Sequence, residues 1–204
     1  MIGVKLRPSL MRYTMRWWNR SSNGSPVYRP VINGGETKVP SELIVGTSIW
    51  LKNTSPYPQV RLELLVSFAF AEVIDYGIEI HVKGSSAGYK GRAYDGIPKI
   101  ANVVDGAKFL VTIGLSRIRA KLPSRVGPGT KRQQRLYPEG ISVRDWEDIM
   151  IYVSAHEARH IWQFSARRKS GKQPISEVDA DKYAIQKLSD WRVETGYPAI
   201  TPMM

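Results

Sequence analysis

Residues 156–160 read His-Glu-Ala-Arg-His, an H-E-x-x-H pattern that constrains this chain of 204 residues more than any other feature. The surrounding segment, 142–169, has apolar residues at helical spacing, so His156 and His160 lie about one turn apart on one face of a predicted helix. Two imidazoles at that spacing can close on one zinc ion, and Glu157 between them can take a proton from a water molecule. The motif therefore predicts a zinc site with a general base beside it.

The simpler alternative is a pair of solvated histidines with a glutamate on a helix surface. An apolar stripe argues against it, because both histidines continue that stripe towards the interior, where unpaired imidazoles would need partners. The stripe consists of Trp146, Ile149, Met150, Val153, Ile161 and Phe164. Arg159 fills a position of the motif that is normally uncharged, which weakens the match without breaking it, since its side chain can face solvent.

An acidic cluster at 176–184 supplies the predicted third ligand, because catalytic zinc usually takes three protein ligands. We assign Glu177 as that ligand. Asp181, four residues later on the same helix face, is the expected acceptor of a ring N–H from a ligating histidine. Ser176 and Asp179 fit a helix capping box, which gives Asp179 a structural role. The alternative is an ordinary acidic first turn that complements the helix dipole.

The two elements HEARH and EVDAD-x-Y-A together resemble the gluzincin metallopeptidases, whose pattern is H-E-x-x-H followed by E-x-x-x-D on a second helix. The resemblance implies that His156, His160 and Glu177 bind zinc. It implies that Glu157 is the general base and that Asp181 supports the site. It further implies a zinc metalloendopeptidase that hydrolyses peptide bonds in a polypeptide substrate.

Such a reaction also needs a donor, besides zinc, that stabilises the oxyanion. Three side chains that follow the first helical turn of the acidic cluster are candidates for this role, namely Tyr183, Arg192 and Tyr197. Tyr183 could instead pack within its own helix.

The segment before the motif predicts an α+β domain of the minimal zincin type. Its parts are a buried helix, a small twisted sheet, the H-E-x-x-H helix and the helix of the third ligand. Residues 59–74 are apolar nearly all round and predict the buried helix. Strands are predicted at 76–83, at 89–97 and at 108–115. In zincins an edge strand near the zinc pairs with an extended substrate, and either of the last two strands could do so.

Residues 87–94 also resemble, more weakly, the strand region of SprT-like proteases, which have a minimal zincin fold and use a third histidine as a ligand. The remaining histidine of this chain, His81, lies on the polar face of its predicted strand. We therefore expect His81 to be a surface residue rather than a ligand.

The net charge of +12 is concentrated in two segments. Residues 1–42 hold seven Lys or Arg against two Glu, a net +5, and residues 116–138 hold seven Lys or Arg and no acid. The other stretches are nearly neutral, at +1 for 43–115 and −1 for 139–204. We predict an extended basic arm at 1–42 and a zincin-like domain at 43–204 that carries a basic loop at 116–138.

Cations interleaved with aromatic rings suit a polyanion, most simply nucleic acid. The alternatives are a solvated tail and an arm that docks on another protein of an assembly. The residues expected to contact the polyanion are Arg12, Arg16, Trp17, Trp18, Arg20, Arg125, Lys131, Arg132 and Arg135.

The composition excludes several classes of protein. The sequence has no cysteine, so it has neither disulfides nor thiol chemistry. No apolar run approaches the length of a membrane span, and the N-terminal residues lack the apolar stretch of a signal peptide. We expect an intracellular protein without membrane contact, either cytoplasmic or associated with nucleic acid or a particle.

A second function from another class fits the same sequence. The chain could be a non-catalytic component of a larger assembly, such as a virion, that keeps the zincin fold and binds nucleic acid. Its zinc would then be structural or absent. The intact Glu157 argues against this alternative, because a structural metal site needs no general base.

Overall fold

The structure is a computed structural model that describes most of the chain beyond residue 40. The described residues are 41–85, 89–99, 101–116, 124–126, 140–171 and 175–200, with the backbone alone at 116 and 124–126. The contacts of the chain divide it into units of residues 1–36 and 37–204, and every described residue belongs to the second unit. Within the described ranges the protein is α+β.

Seven strands and three α-helices make up the described part of the chain. The strands are β1 (Glu42–Leu43), β2 (Ile49–Thr54), β3 (Ile78–Ser85), β4 (Lys90–Tyr94), β5 (Phe109–Ser116), β6 (Ser124–Val126) and β7 (Ile141–Val143). The helices are α1 (Gln59–Ala69), α2 (Trp146–Ser170) and α3 (Glu177–Glu194), and a 3-10 turn (Ala71–Val73) follows α1.

Five of the strands form one small mixed sheet in the order β1-β2-β3-β5-β4. The three central strands, β2, β3 and β5, run parallel, while β1 and β4 are antiparallel to their neighbours. The strands β6 and β7 form a separate antiparallel pair. In the five-stranded sheet β5 therefore lies inside, and β4 is an edge strand.

Alternation along the strands directs the apolar side chains to one face of the sheet. In β3 the residues Ile78, Ile80 and Val82 are buried, and they share one core with buried residues of α1 and α2, such as Leu65 and Ile161. Burial of each such side chain stabilises the fold by about 1.5 to 3 kcal/mol. This packing fixes α2, which carries the H-E-x-x-H motif, against the sheet.

The α+β class and the predicted elements are confirmed, with changes at their ends. The helix predicted at 142–169 begins only at Trp146, because Ser142 and Val143 belong to β7 and Asp145 caps the helix. The helix predicted at 59–74 ends at Ala69 and continues as the 3-10 turn. The strand predicted at 76–83 begins at Ile78, because Gly77 has a φ of 70°. The strand predicted at 89–97 ends at Tyr94, where Gly96, with a φ of 102°, donates a backbone hydrogen bond to Tyr94 in a turn.

The described residues bear only in part on two further expectations, the basic arm and the lack of a membrane span. Of the predicted arm, 1–42, only Ser41 and Glu42 lie within the described residues, and Glu42 already belongs to β1. In the described part of the chain, no helix combines the length and the apolar character that crossing a membrane requires.

Candidate metal centre

Two helices carry the candidate metal ligands. The helix α2 begins after Asp145, whose side chain accepts a hydrogen bond from the Asp148 amide at 2.9 Å, and it ends at Gly171 in the left-handed conformation. The helix α3 begins after Ser176, whose hydroxyl accepts from the Asp179 amide at 3.3 Å. These caps make Glu177 the first residue of α3 and place it beside the middle of α2.

His156, His160 and Glu177 come together at this crossing. The two imidazole Nε2 atoms are 3.1 Å apart. One Glu177 oxygen lies 3.2 Å from His156 Nε2, and the other lies 3.3 Å from His160 Nε2. The potential ligand atoms all lie within 4.8 Å of one another, so these three residues could hold a metal ion.

Asp181 fixes the ring of His156 from behind. Its Oδ1 lies 3.0 Å from His156 Nδ1 and also accepts a hydrogen bond from the Tyr152 hydroxyl at 3.1 Å. When Nδ1–H donates to Asp181, the lone pair of His156 Nε2 stays free and points to the space shared with His160 and Glu177. Burial opposes protonation of His156, but the bond to Asp181 and the charge of Glu157 outweigh it and raise the His156 pKa.

Gln163 holds the second histidine and was not predicted from the sequence. Its Oε1 lies 3.1 Å from His160 Nδ1 and accepts the Ser176 amide at 3.1 Å. Its Nε2 donates to the Ser176 carbonyl at 3.0 Å and to Asp179 at 2.9 Å. This fully buried amide therefore ties the ring of His160 to the N-terminus of α3, where Glu177 lies. The sequence did contain an indication of this contact, because Gln163 follows His160 by three positions and therefore lies on the same inner face of the helix.

Arg159 lies at the crossing of α2 and α3 rather than extending into solvent. Its side chain is 20% exposed, and its Nε lies 2.6 Å from Asp179 Oδ2, while the guanidinium stacks over the Trp162 ring at 4.0 Å. The hydrogen bond from Arg159 lowers the Asp179 pKa despite partial burial. Asp179 thus has the predicted structural role, but it is not the reciprocal member of a capping box, because the Ser176 amide bonds to Gln163 instead.

Glu157 lies on the side of α2 that faces the edge strand β4. Its side chain is 5% exposed. A Cβ on Gly91 would come within 2.6 Å of Glu157 Cγ, so only glycine leaves room for this carboxylate. Burial raises the Glu157 pKa, and the two histidines and a backbone hydrogen bond from Ala93 offset part of that effect.

The three predicted oxyanion donors have other partners. Arg192 donates to Asp148 at 2.7 Å and to the Ser142 carbonyl at 2.6 Å, which gives it a structural role beneath α2. Burial raises the pKa of Asp148, but its bonds to Arg144 and Arg192 outweigh this effect, so the net shift is downward. The ring of Tyr197 lies under the Arg144 guanidinium, whose Cζ is 3.6 Å from the ring centroid. Tyr183 forms a hydrogen bond with Glu72, and burial raises the Tyr183 pKa.

His81 lies on the polar face of β3, as predicted, and its side chain is partly exposed. It is half-buried, and its Nε2 lies 2.7 Å from the carboxylate of Glu79. Glu79 is itself 1% exposed and accepts from the Ser41 hydroxyl and the Val104 amide, each at 2.6 Å. These bonds outweigh the effect of burial and lower the Glu79 pKa.

The predicted polyanion-binding residues lie outside the described side chains. Arg125 belongs to β6, of which only the backbone is described. The others fall in stretches that the structure does not describe, namely Arg12, Arg16, Trp17, Trp18, Arg20, Lys131, Arg132 and Arg135. Their role stays a prediction.

No protein-family model, curated protein or solved structure matches this chain. The chemistry of the site therefore has to be inferred from the residues themselves. What they provide is a group of two imidazoles and the exposed carboxylate of Glu177 that could hold a metal ion, with a buried carboxylate, Glu157, beside it.

Proposed function

We propose that this protein is a zinc-dependent metallopeptidase with a zincin-like fold. The observation that carries the proposal is the pairing of two different carboxylates with the same two histidines. Glu177 lies within 3.3 Å of both imidazoles, as a ligand would. Glu157 points to the edge strand instead and is free of the ligand role. A purely structural metal site would require only the first carboxylate.

The ligand atoms suit zinc in their chemistry and spacing. Zinc binds imidazole nitrogen and carboxylate oxygen at about 2.0 to 2.2 Å, so the ligand atoms of a tetrahedral site lie roughly 3.3 to 3.5 Å apart. Here the two Nε2 atoms are 3.1 Å apart, and they lie 3.2 and 3.3 Å from the two different oxygens of Glu177. Asp181 and Gln163 orient the two rings through their Nδ1 atoms, as the outer partners of metal-bound histidines usually do.

The chain's own residues would then divide the work of peptide hydrolysis. When bound, zinc would supply the charge that polarises the scissile carbonyl and lowers the pKa of water. Glu157 would take the proton from the attacking water and pass it to the leaving amine. Burial of Glu157 favours this role, because a desolvated carboxylate holds a proton more readily than an exposed one.

The edge strand β4 is the proposed docking site for the polypeptide substrate. Both edges of β5 are occupied, by β3 and β4, so the strand at 108–115 cannot take an added strand. In β4 the Ala93 amide bonds to Glu157, and residues two apart direct their backbone groups to the same side of a strand. A peptide paired with β4 would therefore run alongside the general base.

The proposal is tested by metal removal and restoration on the full chain. Unfolded casein is the substrate, and product termini are counted before chelation, after chelation and after addition of one equivalent of zinc. We expect cleavage to disappear with the metal and to return with zinc. Stoichiometric zinc binding without cleavage of any unfolded polypeptide would instead favour the non-catalytic assembly component.

A further inference from the structure

The two faces of the five-stranded sheet differ in charge. One face is the apolar core beneath the helices. The strand register defines which residues lie on the opposite face, because side chains of residues paired across strands point to the same side of the sheet. Two neighbouring rows on it cross β2, β3, β5 and β4 in that order, and they consist of Lys52, His81, Thr112 and Arg92, and of Thr54, Lys83, Gly114 and Lys90.

Four of the side chains in these two rows are cationic, and they lie over the sheet surface. Lys83, Lys90 and Arg92 are exposed, and Lys52 is half-buried. Gly114 leaves a gap in the surface, and the Lys90 side chain crosses it, with its Cγ 3.3 Å from the position of a Cβ on Gly114. Strands lie about 4.8 Å apart, so each row spans about 14 Å.

Acidic side chains do not neutralise this surface. Among the described residues on this face of the five strands, Glu79 is the single acid. It is 1% exposed, and its oxygens are taken by Ser41, His81 and Val104. The stretch 43–115 is nearly neutral in total because its other acids lie on helices and loops. In the fold, most cations of this stretch therefore gather on the sheet face, while most of its acids lie elsewhere.

We propose that this sheet face binds the phosphate backbone of nucleic acid. The lysines and Arg92 would contact phosphates, and the Thr112 hydroxyl between them could donate a further hydrogen bond. The Arg92 guanidinium already lies over the Tyr94 ring at 4.8 Å, and such a pair offers a surface on which a base can stack. Among the described strand residues on this face, Leu43 is the single exposed large apolar side chain, and it lies outside the two rows, where cations predominate. One apolar side chain is too little for insertion into a lipid bilayer, which favours nucleic acid over an anionic membrane.

The proposed surface lies on the face of the sheet opposite Glu157, although Lys90 and Arg92 belong to the strand β4 that we propose as the substrate edge. Lys90 and Arg92 alternate along β4 with Gly91 and Ala93, and Gly91 faces Glu157 on the other side of the sheet. Charge substitutions in the two rows therefore leave the candidate metal ligands untouched, and unchanged metal content would show that lost oligonucleotide binding does not come from damage to that group.

The test compares two variants of the full chain with equal net charge. One carries Lys83→Gln, Lys90→Gln and Arg92→Gln, and the matched control carries three substitutions of exposed helix cations, Arg167→Gln, Lys169→Gln and Lys182→Gln. Binding to a single-stranded oligonucleotide is titrated against salt. We expect the slope of log affinity against log salt to fall by about 2 to 3 in the first variant, for three lost phosphate contacts, and to change little in the control.

Acetylation footprinting separates this surface from the basic segments elsewhere in the chain. Bound oligonucleotide should protect Lys83 and Lys90 from acetylation and leave Lys169 and Lys182 reactive. Equal salt slopes for the two variants, or unprotected Lys83 and Lys90 in the saturated complex, would overturn the proposal. Binding of anionic vesicles through the same lysines, without oligonucleotide binding, would overturn it in favour of a membrane surface.

Discussion

Gly91 on the edge strand lies directly against Glu157 of the H-E-x-x-H helix. A Cβ on residue 91 would come within 2.6 Å of Glu157 Cγ and 2.7 Å of its Cδ, distances that no relaxed structure accommodates. The general base of the proposed reaction is therefore positioned by the absence of a side chain on the neighbouring strand. This relationship gives the proposed function a test that does not alter Glu157 itself.

Gly91→Ala should lower the rate of peptide hydrolysis by about 10²-fold, since a displacement of a catalytic group by roughly 1 Å has that effect. Metal content should stay at the wild-type level, because the clash involves Glu157 and none of the three ligands. The matched control is Gly84→Ala, where a Cβ meets no atom within 4 Å. A Gly91→Ala enzyme as fast as the control would show that Glu157 does not act from this position.

His156→Ala, His160→Ala and Glu177→Ala should each lower zinc affinity, because each removes one of the three proposed ligands. Competition with a chromogenic chelator measures the effect. The control is Glu194→Ala, which removes an exposed carboxylate at the other end of α3. Wild-type affinity in Glu177→Ala, together with a loss in Asp181→Ala, would mean that the third ligand has been assigned to the wrong carboxylate.

Gln163→Leu should weaken metal binding by about 10- to 100-fold, as removal of the outer partner of a metal-bound histidine usually does. Leucine keeps the approximate volume but leaves the Ser176 amide and carbonyl, Asp179 and the His160 ring without their buried partner. Gln186→Leu is the control, since Gln186 is exposed and bonds only locally, to Asp190. Equal affinities in the two variants would remove Gln163 from the site.

Asp148→Asn should destabilise the metal-free protein at neutral pH by about 3 to 5 kcal/mol, because it leaves two arginines without their buried partner. The folded-state pKa of Asp148 is lowered, so its contribution is fully present above the unfolded value of about 3.9 and is lost as the pH falls through the folded value. The difference from wild type should therefore narrow in acid.

Denaturant unfolding between pH 3 and pH 7 measures this stability difference. Asp95→Asn serves as the control, because the exposed pair of Asp95 with Arg168 should contribute only about 0 to 1 kcal/mol. A difference between Asp148→Asn and wild type that stays constant across this range would contradict the ionised state of Asp148.

The clustering of His156, His160 and Glu177 could be predicted because it depends on local spacing. His156 and His160 are one helical turn apart, and Glu177 and Asp181 repeat that spacing on the next helix. The apolar stripe that places both histidines on the inner face of α2 is likewise a property of one helix. Secondary structure and the H-E-x-x-H motif were therefore enough to bring His156, His160 and Glu177 together.

The residues that support this group depend on tertiary contacts and could not be predicted in the same way. Gln163 bonds to residues 13 and 16 positions later, and Arg159 pairs with Asp179 across the same helix crossing. Alternation along β3 placed His81 on the polar face, but it could not show that the Val104 amide and the Ser41 hydroxyl bond to the neighbouring Glu79 from distant parts of the chain. The periodicity of one strand contains no information about such a covering loop.

The order of the strands in the sheet could not be predicted from the sequence either. β5 follows β4 along the chain but inserts between β3 and β4, which makes β4 the edge strand. This pairing decides which strand can accept a substrate, and it creates the cationic rows that cross four strands. Net charge along the sequence pointed instead to the segments 1–42 and 116–138.

The most direct test is the rate of zinc-dependent peptide hydrolysis by Glu157→Gln, measured beside the wild type at equal zinc content. Glutamine keeps the size of the side chain and cannot take up the proton of the attacking water. We predict that the variant binds one zinc per chain, folds as the wild type does and cleaves at least about 10²- to 10⁴-fold more slowly. Equal cleavage by the two proteins, or no cleavage by the zinc-loaded wild type, would contradict the assignment of Glu157 as general base.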